Sequence, residues 1–88
     1  MKLIIAIIKD EDNDAVSRGL TKNDFRVTLI ASTGGFLRSG RSTLLIGVED
    51  EQVDAALEII RENCKKQEDP GKKRATIFVL PVEQFTQL

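Results

Sequence analysis

The densest chemistry in the chain lies in Thr33-Gly34-Gly35-Phe36-Leu37-Arg38-Ser39-Gly40-Arg41. Its glycines open backbone angles closed to other residues and expose amide N–H groups. Arg38 and Arg41 add planar donor forks that match phosphate oxygens. Beside them, Phe36 and Leu37 put large apolar side chains where a soluble loop ordinarily carries polar ones. A cationic, amide-rich and apolar loop is what a phosphorylated aromatic ligand requires. On pattern alone, a plain hairpin connection remains open as the alternative. The loop has no P-loop lysine and no helix follows it, so nucleoside-triphosphate motifs do not apply.

The elements that must position this loop flank it. Residues 25–33 alternate as a strand, with Phe25, Val27 and Leu29 on one side and Arg26, Thr28 and Ile30 on the other. Residues 42–49 are again β-rich. Residues 2–8 are almost unbroken aliphatic, which predicts a central strand covered on both faces. The acids of 10–14 supply helix N-caps. The helix they open runs to about residue 23, turns Val16, Gly19 and Leu20 inward, and is weakened by Gly19. Glu49 and Asp50 cap a second helix over 50–66, whose inner stripe is Val53, Ala56, Leu57, Ile60 and Cys64. After a polar turn at 67–73 comes a fourth strand, 74–80, stopped by Pro81, and then a tail with no periodicity. The order β-α-β-β-α-β predicts an α+β ferredoxin-like sandwich in which residues 1–88 form one domain.

Composition excludes several functions. With no histidine, the chain lacks the commonest general base and metal ligand, and no nucleophile has an obvious base beside it, so no enzyme is expected. Neither a cofactor nor a metal is expected either. A net charge of -1 gives no field for a nucleic-acid polymer. The apolar N-terminal stretch is too short for a membrane span or signal peptide. One cysteine rules out an intrachain disulfide and suits a cytoplasmic protein, with Cys64 as a packed, inert thiol. The acids at 10–14 lack calcium-loop spacing. The basic run Lys72, Lys73 and Arg74 fits a solvated turn.

The sheet face turned away from the helices is predicted to carry Ile30, Leu45, Gly47, Thr76, Phe78 and Leu80 beside Arg26 and Thr28. Each large side chain left wet there forgoes roughly 1.5–3 kcal/mol. Copies are therefore expected to pack sheet against sheet. Arg26 on that face needs an anionic partner, either across a subunit interface or in a ligand phosphate.

Several segments resemble one family, the PII-like cyclic-di-AMP receptors. They are Lys22-Asn23-Asp24-Phe25-Arg26-Val27-Thr28, Ala31-Ser32-Thr33-Gly34-Gly35-Phe36-Leu37-Arg38-Ser39-Gly40 and Gly47-Val48. The opening Met-Lys-Leu-Ile-Ile-Ala-Ile-Ile and the closing Ala75-Thr76-Ile77-Phe78-Val79-Leu80-Pro81-Val82, with Phe85 and Gln87, are similar to that family as well. The resemblance implies a homotrimer with one cyclic-di-AMP in each cleft between subunits. It implies that Arg26 and Thr28 meet phosphate and ribose. Gly35, Phe36 and Leu37, with Arg38 beside them, would cradle one nucleotide. Gly47 would leave room for a base, and Phe78 and Gln87 would touch bases from across the interface.

Two departures stand out. The family commonly has asparagine where this chain has Asp24, a side chain that only accepts hydrogen bonds. Relatives also carry a long ligand-responsive loop where this chain has the short turn around Asp69-Pro70-Gly71. The sequence thus predicts a non-enzymatic signalling protein that binds cyclic-di-AMP or a related adenine nucleotide and acts on an unknown downstream protein. The alternative is a PII-like regulator of a transporter or metabolic enzyme that binds a different nucleotide or none.

Overall fold

The computed structural model describes residues 1–32, 40–65 and 73–88. Strand β1 (Lys2–Lys9) is followed by helix α1 (Asn13–Lys22), strands β2 (Arg26–Ser32) and β3 (Arg41–Val48), helix α2 (Val53–Asn63) and strand β4 (Ala75–Pro81). Single 3-10 turns, Asp10–Asp12 and Asp50–Gln52, lead into the two helices. The strands form one antiparallel sheet in the order β2-β3-β1-β4, the ferredoxin-like arrangement. β1 lies inside it, as its aliphatic run demands.

The registers assign the paired strand residues to faces. Ile4 pairs with Ile46 and Ala6 with Leu44, and Ile46 in turn pairs with Val27. These positions face the helices, where Val16 and Leu20 of α1 and Ala56 and Ile60 of α2 close a core that is almost entirely buried. On the opposite face, Arg26, Gly47, Leu3 and Leu80 form one row across the sheet, and Thr28, Leu45, Ile5 and Phe78 form the next. Among the described residues no element covers the Phe78 end of that row, and Phe78 is 51% exposed.

The second strand corrects the simple alternation. Phe25 and Val27 do meet the core, but Leu29 is 49% exposed despite pairing with Leu44. The register shifts between Leu29 and Ala31, so Ile30 is a bulge residue instead of a member of the outward row, and Ala31 pairs with Thr43. A bulge on an edge strand twists its unpaired side away from further pairing. β4 also continues through Pro81, which pairs with Lys2. An edge strand tolerates proline because one of its sides needs no ladder donor.

The helix ends differ from expectation in instructive ways. No side-chain cap holds the start of α1. The acids there do other work: Ser42 Oγ donates to the Asp10 carboxylate, and buried Asp12 accepts from the Lys65 N–H at 3.3 Å. They tie the entry of α1 to β3 and to the chain leaving α2. At the other end of α1, the Phe25 N–H donates to Leu20 O and the Asp24 N–H to Thr21 O, each at 3.0 Å. That is a Schellman closure, sealed by Phe25 and Leu20 in the core. It places Asp24 at φ 66, a left-handed conformation usually left to glycine or asparagine.

The turn before α2 carries a full capping box, with the Glu49 N–H donating to Gln52 Oε1 at 3.0 Å. α2 ends at Asn63, earlier than its apolar stripe suggests, and Cys64 follows in extended backbone with its side chain buried. Gly19 serves the contact between helices: a Cβ there would come within 2.7 Å of Asn63 Nδ2.

Candidate functional site

A cavity of about 500 Å³ opens at the Arg26 end of the uncovered face. Arg26, Thr28, Leu45 and Gly47 form its floor because the β2–β3 register sets Arg26 against Gly47 and Thr28 against Leu45. The closure of α1 delivers Asp24 to the rim, and β1 contributes Lys2 and Leu3. The C-terminal tail supplies the remaining wall. The Val82 N–H donates to Met1 O at 3.0 Å, which turns the tail back across the sheet and brings Phe85 and Gln87 to the cavity.

Asp24, Arg26, Thr28, Gly47 and Gln87, expected from sequence to serve one ligand, therefore share one cavity. Gln87 lines the cavity of its own chain. Phe78 does not line it: β4 is two strands removed from β3 in this sheet, and its ring stands exposed on the same face. Gly35, Phe36, Leu37 and Arg38 lie outside the described residues. Lys2, Leu3 and Phe85 are lining residues absent from the set expected to touch ligand. A two-fold alternation starting at Leu3 could have indicated the strand residue. Nothing in a tail without periodicity could have indicated where Phe85 lies.

The chemistry of the cavity is uneven. Arg26 supplies a guanidinium, and among the described residues no hydrogen bond or ion pair holds it. Thr28 and Gln87 offer both donors and acceptors. Leu3, Leu45 and Phe85 make apolar walls of the kind a purine ring packs against. At Gly47 an added Cβ would meet only Met1 Cε, at 3.8 Å, so the floor is open where a flat group could approach. Asp24 adds a carboxylate at the rim. Among the described residues, no cluster of acidic or cysteine side chains could hold a metal ion, and no helix is long and apolar enough to cross a membrane.

Comparison with known proteins places this geometry. The family model described as cyclic-di-AMP receptor matches residues 1–70. The chain belongs to that family. The matched residues include the whole floor and the Asp24 rim, whereas Phe78, Phe85 and Gln87 lie beyond them. Membership supports a role in cyclic-di-AMP-binding signalling, and this is a family of receptors. The chain is also similar to a crystal structure titled a functionally unknown protein from Pediococcus pentosaceus ATCC 25745. The two are 38% identical with a TM-score of 0.81, over 99% of this chain and 96% of that one.

Proposed function

We propose that the protein binds cyclic-di-AMP, or a related adenine nucleotide, at the Arg26 cavity and signals without catalysis as a homotrimer. The observation that carries this reading is a guanidinium that no hydrogen bond or ion pair holds among the described residues, set in an apolar-walled cavity on the sheet face turned away from the helices. Arg26 holds a phosphate by a charge-assisted contact, Thr28 and Gln87 hydrogen-bond polar edges, and Gly47 admits a base. Packing of the Leu3, Ile5, Leu45, Phe78 and Leu80 face against other copies buries its apolar surface. It also brings a neighbour's Phe78 toward the cavity, as the inter-subunit cleft requires. Gly35, Phe36, Leu37 and Arg38 complete the site, and ordering of their loop around ligand changes the contact with a downstream protein.

Titration calorimetry of the purified protein against cyclic-di-AMP and ATP tests the ligand, and flat traces for both would remove it. Sedimentation at micromolar concentration tests the assembly, for which a stable monomer would be the contrary result. One observation favours a second reading, a PII-like regulator tuned to another ligand: the Asp24 carboxylate on the rim opposes the phosphodiester anions of cyclic-di-AMP. ATP or another nucleotide binding where cyclic-di-AMP does not would select it.

A further inference from the structure

The floor of the Arg26 cavity is open at Gly47, and the side chain beside that opening is a methionine. A Cβ at Gly47 would stand 3.8 Å from Met1 Cε. Strand geometry explains the approach. Leu3 is the cross-strand partner of Gly47 and Lys2 that of Val48, so Met1 shares the face of Leu3 and lies diagonally across from Gly47. A diagonal neighbour is within reach of a long side chain. Met1 accordingly lines the cavity together with Leu3, Leu45 and Gly47.

The backbone of Met1 is held from two sides. Its carbonyl accepts the Val82 N–H at 3.0 Å, and its ammonium group lies 3.0 Å from Asp50 Oδ1. The residue nevertheless stays 38% exposed. A fixed backbone thus presents an unbranched thioether to the cavity. Such a side chain adapts to the shape of a flat group, and its polarisable sulfur is attracted to aromatic rings. Arg26 and Thr28 supply polar contacts, whereas the Gly47 opening and the Met1 thioether supply an apolar seat for a ring.

We propose that a nucleobase seated over Gly47 packs against the Met1 thioether, and that oxidation of this sulfur by a peroxide weakens nucleotide binding at the Arg26 cavity. The inference rests on the nucleotide reading of that cavity. In the oxidation the sulfur lone pair attacks one peroxide oxygen, the O–O bond breaks and an S–O bond forms. The sulfur loses two electrons, and hydrogen peroxide leaves as water. The sulfoxide is polar and chiral where the thioether was apolar, and sulfoxide reductases restore the original group. A polar wall against the face of a base lacks the hydrogen-bond partners it then needs. Met1 is the single methionine of the chain, so thioether oxidation falls on this position alone. The other sulfur, Cys64, is buried, and burial holds its thiol in the unreactive protonated form.

The test combines one methyl resonance with calorimetry. Protein labelled in the methionine methyl group gives a single signal to follow during titration with cyclic-di-AMP, or with ATP should cyclic-di-AMP not bind. Affinity is then measured before and after hydrogen peroxide treatment, with the added oxygen verified by mass spectrometry. The control carries norleucine in place of Met1, which keeps the chain length and removes the sulfur. The methyl signal is expected to shift on ligand saturation, and oxidation to lower affinity about threefold to tenfold. The norleucine protein is expected to keep its affinity through the same treatment. A methyl signal that does not move while ligand binds overturns the proposal alone. So does affinity that survives oxidation of Met1, or a loss of equal size in the norleucine protein, which would assign the effect to Cys64. Absence of binding of either nucleotide by untreated protein overturns the reading of the cavity and this proposal with it.

Discussion

The two faces of the sheet are built from the same kinds of residue and end up in opposite situations. On one face Ile4, Ala6, Ile8, Leu44 and Ile46 are fully buried under two helices. On the other, Phe78 and Leu80 stay about half exposed, and an arginine stands among aliphatic neighbours. The first face is completed by its own chain, because each helix presents an apolar stripe that fits it. The second has no such partner among the described residues. Stability and recognition are thus separated by the pleat: neighbouring residues on one strand belong to different problems.

Substitution of adjacent residues should expose that division most sharply. Leu44→Ala and Ile46→Ala should each cost roughly 2–5 kcal/mol in denaturant unfolding, since both lie fully in the core. Leu45→Ala, one position away, should cost less than about 1 kcal/mol in dilute protein while weakening self-association in sedimentation. Equal costs for Leu44 and Leu45 would erase the distinction between the faces.

Arg26→Ala should leave the melting temperature of ligand-free protein unchanged and reduce cyclic-di-AMP affinity about a hundredfold, measured by calorimetry. If Arg26 instead bridges subunits, the variant will sediment as smaller species, and the open face will have been structural throughout. Gly47→Ala should be neutral or stabilising by about 0.5–1 kcal/mol, because the new Cβ meets open space and glycine disfavours strands. The same methyl group should lower ligand affinity about tenfold by narrowing the floor.

Smaller effects are expected at Asp24. Asp24→Gly should gain up to about 1 kcal/mol by removing the Cβ from a residue at φ 66. Asp24→Asn should gain less in stability but raise affinity for an anionic ligand a few-fold, with the gain fading at high salt. The smallest effect concerns Cys64 on the covered face. Burial, with the nearby Asp12 charge, pushes its thiol up to about 11 from an ordinary 9.0. A raised thiol pKa stabilises the fold below the unfolded value and loses that contribution as pH rises from 9 toward 11. Alkylation of native protein at pH 8 should accordingly be far slower than that of unfolded chain.

What the sequence made legible follows the same division. The aliphatic run of β1 declared an inner strand of the sheet, although only its helix side is fully buried. The expected cover on its second face is not seen among the described residues, whereas the alternation of Phe25 to Thr28 sorted four residues correctly between faces. The alternation failed at Ile30, because a bulge breaks the two-residue period and leaves no mark in residue type. It misjudged Leu29 because being on the helix side of an edge strand does not guarantee cover. Asp10 and Asp12 were legible as helix-start residues but not as tethers to Ser42 and Lys65, which are distant in sequence. The convergence of Gln87 with Arg26 was suggested only by family resemblance. Its physical route, through the Val82 to Met1 hydrogen bond, is a tertiary event with no local signature.

The hinge-like backbone at Asp24 has a wider meaning. This residue finishes α1 and also borders the cavity, so any reshaping of the mouth to suit a new messenger is constrained by what a helix terminus will accept. Natural drift at that position should run through a narrow corridor of glycine, asparagine and aspartate. A screen for altered ligand preference there would recover few variants, and those few would carry changed melting behaviour as a signature.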